Sequence, residues 1–135
     1  MANTTKLEIV TPEALVYSED VEGATLPCIE GQLSILPNHV RLMTLLVPGE
    51  MIVHRHGGTE FMAVGEGLVD VTASRVSLVT NMAIAVEKID EARVEEARQK
   101  AAARLREKIS SEEVASVNAS LARSLAQLKV KRRHR

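Results

Sequence analysis

Between positions 6 and 86, short branched-aliphatic runs alternate with turn residues, a pattern that predicts strands. The apolar run 7–10 meets Thr11-Pro12, 21–26 meets Pro27, and 34–36 meets Pro37-Asn38. Run 42–47 precedes Pro48-Gly49, and 51–54 precedes Gly57-Gly58. Runs 60–64, 68–72, 76–79 and 83–86 complete the series. All seven glycines and all four prolines fall in this stretch. Strands of this length and spacing predict a β-sandwich or barrel. His56-Gly57-Gly58-Thr59, between two apolar runs, predicts a hairpin.

At Ile89 the period changes. From there to Arg135 there is no Gly or Pro, and Ala, Arg, Glu, Lys and Leu dominate, all good helix formers. Asp90 predicts an N-cap, with Glu91 well placed against the helix dipole. Ser110-Ser111-Glu112-Glu113 predicts a second start as a capping box. Val114, Val117, Leu121, Leu125 and Leu128 then fall on one helical face. Val94, Ala97, Ala101, Leu105 and Ile109 give the first helix a shallower stripe. The expected fold class is α+β: a β-domain over 1–87, then an antiparallel two-helix hairpin over 88–135 that turns near Ile109 to Ser111. An Ala-rich stripe buries little area at ~25 cal/mol per Å². The hairpin is therefore expected to be thinly held and able to open.

Charge divides at the same place. Residues 1–87 carry four basic and eleven acidic side chains, whereas residues 88–135 carry thirteen basic and seven acidic. That asymmetry suggests two modules with different partners. Hydrophobic residues make up 45% of the chain, so a real core is expected. Tyr17 and Phe61 are the only aromatic side chains of their kinds and there is no Trp, which argues against base-stacking nucleic-acid modules. Cys28 is the single cysteine, which excludes an intrachain disulfide or thiolate cluster and reads as a small buried apolar residue. The polar N-terminus lacks the apolar segment of a signal peptide, and no run approaches the roughly 20 apolar residues of a spanning helix. A soluble protein of a reducing compartment, without membrane insertion, is the expectation.

No catalytic constellation emerges. His54 and His56 share a strand face, but no third metal ligand is evident, so no metal is expected. Gly65-Glu66-Gly67 lacks the Lys-Ser or Lys-Thr of a phosphate loop and reads as a turn. The run Lys129-Val130-Lys131-Arg132-Arg133-His134-Arg135 admits three readings: a solvated helix end, a docking segment for an acidic surface, or a nucleic-acid tail. The acidic β-domain weighs against the last.

Glu30-Gly31-Gln32-Leu33-Ser34-Ile35-Leu36-Pro37-Asn38-His39, followed by Leu45-Leu46-Val47-Pro48-Gly49, resembles the signature of the epsilon subunit of F-type rotary ATP synthases, bacterial type. Leu7 to Glu13, Glu60 to Val71, and Ile89-Asp90-Glu91-Ala92-Arg93 resemble further family segments, in order along the chain. The resemblance implies an N-terminal β-sandwich and a C-terminal helical hairpin. It also implies a non-catalytic central-stalk subunit of a proton- or sodium-translocating synthase. That subunit is peripheral on the cytoplasmic face of the bacterial cell membrane and couples rotor rotation to ATP synthesis. Its expected partners are the gamma subunit and the membrane rotor ring, with the alpha and beta subunits of the catalytic head in an inhibited state. No nucleic acid is expected.

Residue by residue, the resemblance implies ring or gamma contact at Glu30, Gln32, Asn38 and His39. Ser34 stands where the family often has Gly, and Gln32 where it often has Glu, which removes a charge from that contact. Inhibitory contact with beta subunits is expected from Arg98, Arg104, Arg106, Lys108 and Arg123. Some relatives bind ATP on the folded hairpin through an Ile-Asp-x-x-Arg-Ala motif. Here Ile89, Asp90 and Arg93 match, as does Arg123 on the second helix. Val94 replaces the Ala, Ile84 an acidic residue and Gln127 an arginine. No cofactor is expected, apart from weak ATP binding at most.

Overall fold

Alternation along the first strand sets the inside of the domain. In β1 (Thr5–Val10) Thr5, Leu7 and Ile9 are buried while Lys6, Glu8 and Val10 face outward. The computed structural model describes residues 3–38 and 41–134. The strands that follow are β2 (Leu15–Val21), β3 (Gly23–Cys28), β4 (Gly31–Ile35), β5 (Leu42–Leu46), β6 (Gly49–Arg55), β7 (Gly58–Val64), β8 (Gly67–Val71), β9 (Arg75–Thr80) and β10 (Ala83–Ala85). They join in the order β10-β7-β6-β3-β5-β8-β9-β1-β2, with β4 also on β3. The sheet folds over its main core, where Leu7, Leu26, Ile35, Met51, Val53, Val69 and Leu78 meet. β1 runs parallel to β9, and the other pairings are antiparallel.

Two strand expectations are corrected. The run 21–26 is not one strand: β2 ends at Val21 and β3 begins at Gly23, because the chain crosses there from the edge beside β1 to a place between β6 and β5. Gly23 permits the crossing, since a Cβ would lie 3.0 Å from the Ile35 carbonyl oxygen. Pro27 lies inside β3 rather than after it. Along one edge β3 pairs with β6 through Thr25 and with β5 only at Cys28, so Pro27 sits in the gap between two partners. Its carbonyl still accepts from Val47 N at 2.9 Å. The expected hairpin forms as read, with Arg55 opposite Gly58 and Gly57 at φ 90°.

After β10, a 3-10 turn (Val86–Lys88) leads to α1 (Glu91–Arg104) and α2 (Ser111–Arg133). Asp90 caps α1 by accepting from Arg93 N at 3.2 Å. Ser110 accepts from Glu113 N at 3.2 Å, but the Glu113 carboxylate does not reach back; it takes Arg104 at 2.6 Å instead. α1 stops at Arg104, short of the expected turn. Arg106 N and Glu107 N bond carbonyls only three residues back, tightening the chain before the Ser110 cap.

The stripe read for α2 is also corrected. Leu128 is buried as expected, but Leu125 is 48% exposed, and Ala126 and Val130 are buried in its stead. The last turns of α2 lie on β6 and β7 as well as on α1, so the sheet sets the buried face there. Val130 packs with Ala63, Val86 and Ile89, flanked by Phe61, Met82, Ile84 and Val94. No residue of α1 is fully buried, and Ala97 is exposed. The hairpin is thus held at one end and thinly along its length.

Candidate functional site

Strand register puts an apolar row on the outside of the sheet. Leu45 on β5 pairs with Leu68 on β8, Leu68 with Val79 on β9, Val79 with Val10 on β1, and Val10 with Leu15 on β2. Paired residues share a face, and these five are between 39% and 55% exposed. Met43, also exposed, stands two residues from Leu45 on the same face, and Ile29 N bonds the Leu45 carbonyl at 3.0 Å. A solvated sheet face ordinarily alternates to polar residues. A continuous apolar stripe across five strands is instead an exposed apolar surface of the kind that interaction sites carry. The sequence conceals this row, because each member reads as core until the register is known.

Glu30 and Gln32 are exposed and line a shallow pocket with Cys28, Leu33, Leu42 and Met43, at one end of the stripe. Asn38 is exposed at φ 63°, a left-handed conformation that asparagine tolerates. His39, the fourth residue of this expected set, lies outside the described residues. Cys28 is buried, and burial pushes its thiol above the usual range, with the Glu30 carboxylate adding to it.

The cations of the hairpin divide. Arg98 pairs with Glu95, and Arg104 with Glu107 and Glu113, so both are already balanced within the chain. Hydrogen bonding from Arg98, with a further contribution from Arg132, holds Glu95 below the usual carboxylate range. Arg106 and Lys108 stand exposed in the connection between the helices. Arg123 donates to Ser120 Oγ at 3.0 Å. It lines a groove of about 550 Å³ between α1 and α2, together with Lys100, Arg104, Ser116 and Ser124.

The expected nucleotide residues are only partly brought together. Asp90 and Arg93 line a neighbouring pocket with Ile84, and the two cavities share Ala97, Ser124 and Gln127. Ile89 is 3% exposed and belongs to the core under the hairpin. Gln127 Nε2 donates to Met82 Sδ at 2.9 Å, tying α2 to the sheet. Lys100 and the Ser116, Ser120, Ser124 series were not singled out by sequence; their spacing of four was the available signal.

Beside β2, Tyr17 Oη donates to Glu60 Oε1 at 3.2 Å, and the same oxygen accepts from Arg55 Nη1 at 2.8 Å. Burial, then the Glu60 charge, pushes the phenol up to about 12 from its ordinary 10.0. The folded state thus resists ionisation. Its contribution to stability is present below pH 10 and is lost as pH rises through 12. As the chain has one Tyr and no Trp, absorbance of the tyrosinate reads this group alone. A midpoint near 12 is expected, falling toward 10 in Glu60→Gln; an ordinary midpoint in the parent chain would contradict the assignment.

Among the described residues no helix is long and apolar enough to cross a membrane, and no group of three or more His, Cys, Asp or Glu is placed to hold a metal ion. The β-sandwich domain of the ATP synthase delta/epsilon chain matches residues 4–86, and the long α-helix domain of that chain matches residues 87–132. The ATP synthase epsilon chain of Herpetosiphon aurantiacus is 37% identical over 125 residues, covering 93% of this chain and 92% of that one. That of Pelotomaculum thermopropionicum is 43% identical over 105 residues, 78% of each. A chain in the Euglena gracilis mitochondrial ATP synthase (OSCP/F1/c-ring, rotational state 1) superposes with TM-score 0.75 at 20% identity, covering 94% of this chain and 80% of that one. A chain of the Tetrahymena thermophila mitochondrial ATP synthase central stalk and c-ring gives 0.64 at 14%, covering 94% and 96%. At those identities the two structures speak to fold alone. Both domains matched in order, with named bacterial relatives along nearly the whole length, make this chain a member of the epsilon-chain family of F-type ATP synthases.

Proposed function

We propose that this chain works as the central-stalk epsilon subunit of a bacterial ATP synthase, coupling rotor rotation to ATP synthesis without a catalytic centre of its own. The observation that carries this is the apolar stripe of Leu45, Leu68, Val79, Val10 and Leu15. Its occupant in this reading is the gamma subunit, since a stalk needs a rigid and permanent joint and apolar burial supplies one without depending on salt. The end carrying Glu30 and Gln32 then faces the membrane rotor ring, so this subunit is peripheral to the membrane on its cytoplasmic side; Asn38 follows the other end of β4.

The hairpin is the regulatory part in this reading. Opened, it enters the head of alpha and beta subunits and slows ATP hydrolysis, with Arg98, Arg104, Arg106, Lys108 and Arg123 meeting acidic loops. Exposed ion pairs contribute only about 0.2–1 kcal/mol each, so several must act together and inhibition weakens with salt. Release of Arg104 from Glu113, the pair that joins the two helices, is part of that opening.

Reconstitution with a purified synthase core tests both halves. Val79→Lys, at a position 55% exposed and so harmless to folding, is expected to lose gamma in co-purification. Retention of gamma at parent levels would refute the stripe as the joint. Joint replacement of the five cations by Ala is expected to lift suppression of hydrolysis; unchanged suppression would refute the electrostatic account.

A second reading, a nucleotide-sensing inhibitor, draws support from the cationic, hydroxyl-lined grooves beside Arg93 and Arg123. Against tight binding, Asp90 is engaged as a cap, Ile89 is buried, and Ile84 and Gln127 supply neither acid nor guanidinium. Isothermal titration is expected to show no saturation below millimolar ATP; clear saturation there would favour the sensor. A nucleic-acid role fits poorly, because Arg132, Arg133 and His134 of the basic C-terminal run are turned onto this chain's own carboxylates.

A further inference from the structure

Building on the hairpin's regulatory reading, we propose that the last turn of α2 is a latch, residues Lys131 to His134, whose grip on β6 sets how often the hairpin leaves the sheet. Four consecutive side chains leave one helical turn and tie it to different neighbours. Lys131 Nζ donates to the Val86 carbonyl of the 3-10 turn at 3.1 Å. Arg132 reaches α1, meeting Glu91 at 2.9 Å and Glu95 at 3.2 Å. Arg133 Nη1 lies 3.4 Å from Glu50 Oε1 on β6. His134 Nε2 takes the other oxygen, Glu50 Oε2, and its ring stacks on Phe61 of β7 with centroids 3.7 Å apart and planes at 20°.

Glu50 is the keystone. Its side chain is only 10% exposed, and both of its oxygens are engaged by the end of α2. Charge-assisted contacts at a shielded carboxylate are worth more than those on open surface. Elsewhere the apolar docking is confined to the end of α2: Ala126, Leu128 and Val130 are its buried side chains, and α1 buries no residue completely. The polar latch therefore carries a large share of the docking energy, and helix ends are where opening starts. Undocking uncovers Phe61, Ala63, Met82 and Ile84, an apolar area that favours rapid return unless a partner captures the released helix.

Amide hydrogen exchange on the full chain tests this without any partner. Once undocked, α2 keeps only the thin contact with α1 and frays, because isolated helices are marginal in water. His134→Ala and Glu50→Gln are each expected to speed exchange in residues 126–133 by about tenfold, with sheet amides unchanged and the double variant faster by less than the product of the two. Lys129→Ala, exposed on the same helix, serves as the control and is expected to leave exchange as it was. Parent-like exchange in both latch variants would overturn the proposal. Two independent, additive accelerations would also overturn it, as would sheet amides accelerating alongside the helix. The regulatory reading is judged separately, by hydrolysis in a synthase core. Accelerated exchange with unaltered hydrolysis would sink the brake and keep the latch; parent-like exchange with hydrolysis still suppressed would do the reverse.

Discussion

Replacing Gly67 by alanine is expected to cost the β-domain most of its stability. A Cβ there would lie 2.0 Å from the Val79 carbonyl oxygen, 2.8 Å from Thr80 Cα and 2.9 Å from the Val79 carbonyl carbon. All three are backbone atoms of β9, so no side chain can swing aside. Gly67 is held on both flanks, opposite Thr80 on β9 and Leu46 on β5. Relief means prising β8 from β9, which also threatens the Thr80 Oγ1 bond to the Glu66 carbonyl at 2.9 Å. Overpacking in cores costs about 1–3 kcal/mol and sometimes more, and rigid backbone contact places this case at or above the upper end. Against a typical stability of about 5–15 kcal/mol, the urea midpoint followed by circular dichroism should fall steeply, or the chain should fail to fold. Gly58→Ala, where no heavy atom lies within 4 Å and φ is ordinary, should stay within about 0.5 kcal/mol of the parent. Equal midpoints for the two variants would show that β8 and β9 do not approach so closely.

Val130→Asp is expected to split the molecule's behaviour in two. Val130 is 1% exposed among Ala63, Val86 and Ile89. An unpaired carboxylate buried there costs several kcal/mol, about what breaking a buried ion pair costs, roughly 3–5 kcal/mol. The docking surface is too small to offset that, so the hairpin leaves while the sheet keeps its own core. Exchange should rise throughout α2 while the near-parental melting transition of the β-domain remains. In a synthase core the released hairpin should suppress hydrolysis more than the parent does. A single cooperative transition shifted downward for sheet and helices together would mean that the two parts are one folding unit.

Local chemistry was legible in the residues; register and docking were not. Asp90 and Ser110 announce helix starts because a cap depends on a few adjacent residues, and both accept the amide expected of them. The Gly57 turn was readable for the same reason. β2 escaped notice because its exposed, half-polar sequence suits an edge strand with little core to fill. Pro27 misled because its tolerance rests on where β6 ends and β5 begins, a fact about partners far away in the chain. Leu125 lost its expected place to Ala126 since the sheet, not α1, decides which side of α2 is covered. Of the candidate site, Glu30, Gln32 and Asn38 are exposed. The apolar row depends on four strand registers, and Lys131 to His134 depend on docking, so neither could be composed from sequence alone.

The parallel pairing of β1 with β9 has a consequence for synthesis. Lys6 lies opposite Arg75 and Val10 opposite Val79, so the first strand made must wait for nearly the last. Contacts so distant along the chain are slow to form, and a domain generally folds once its whole sequence is available. While the nascent chain grows, Leu7 and Ile9 can pair with β2 but have no β9 to close the other side. A ribosome paused before Thr80 therefore holds an open sheet edge with apolar side chains uncovered, a natural client for a chaperone.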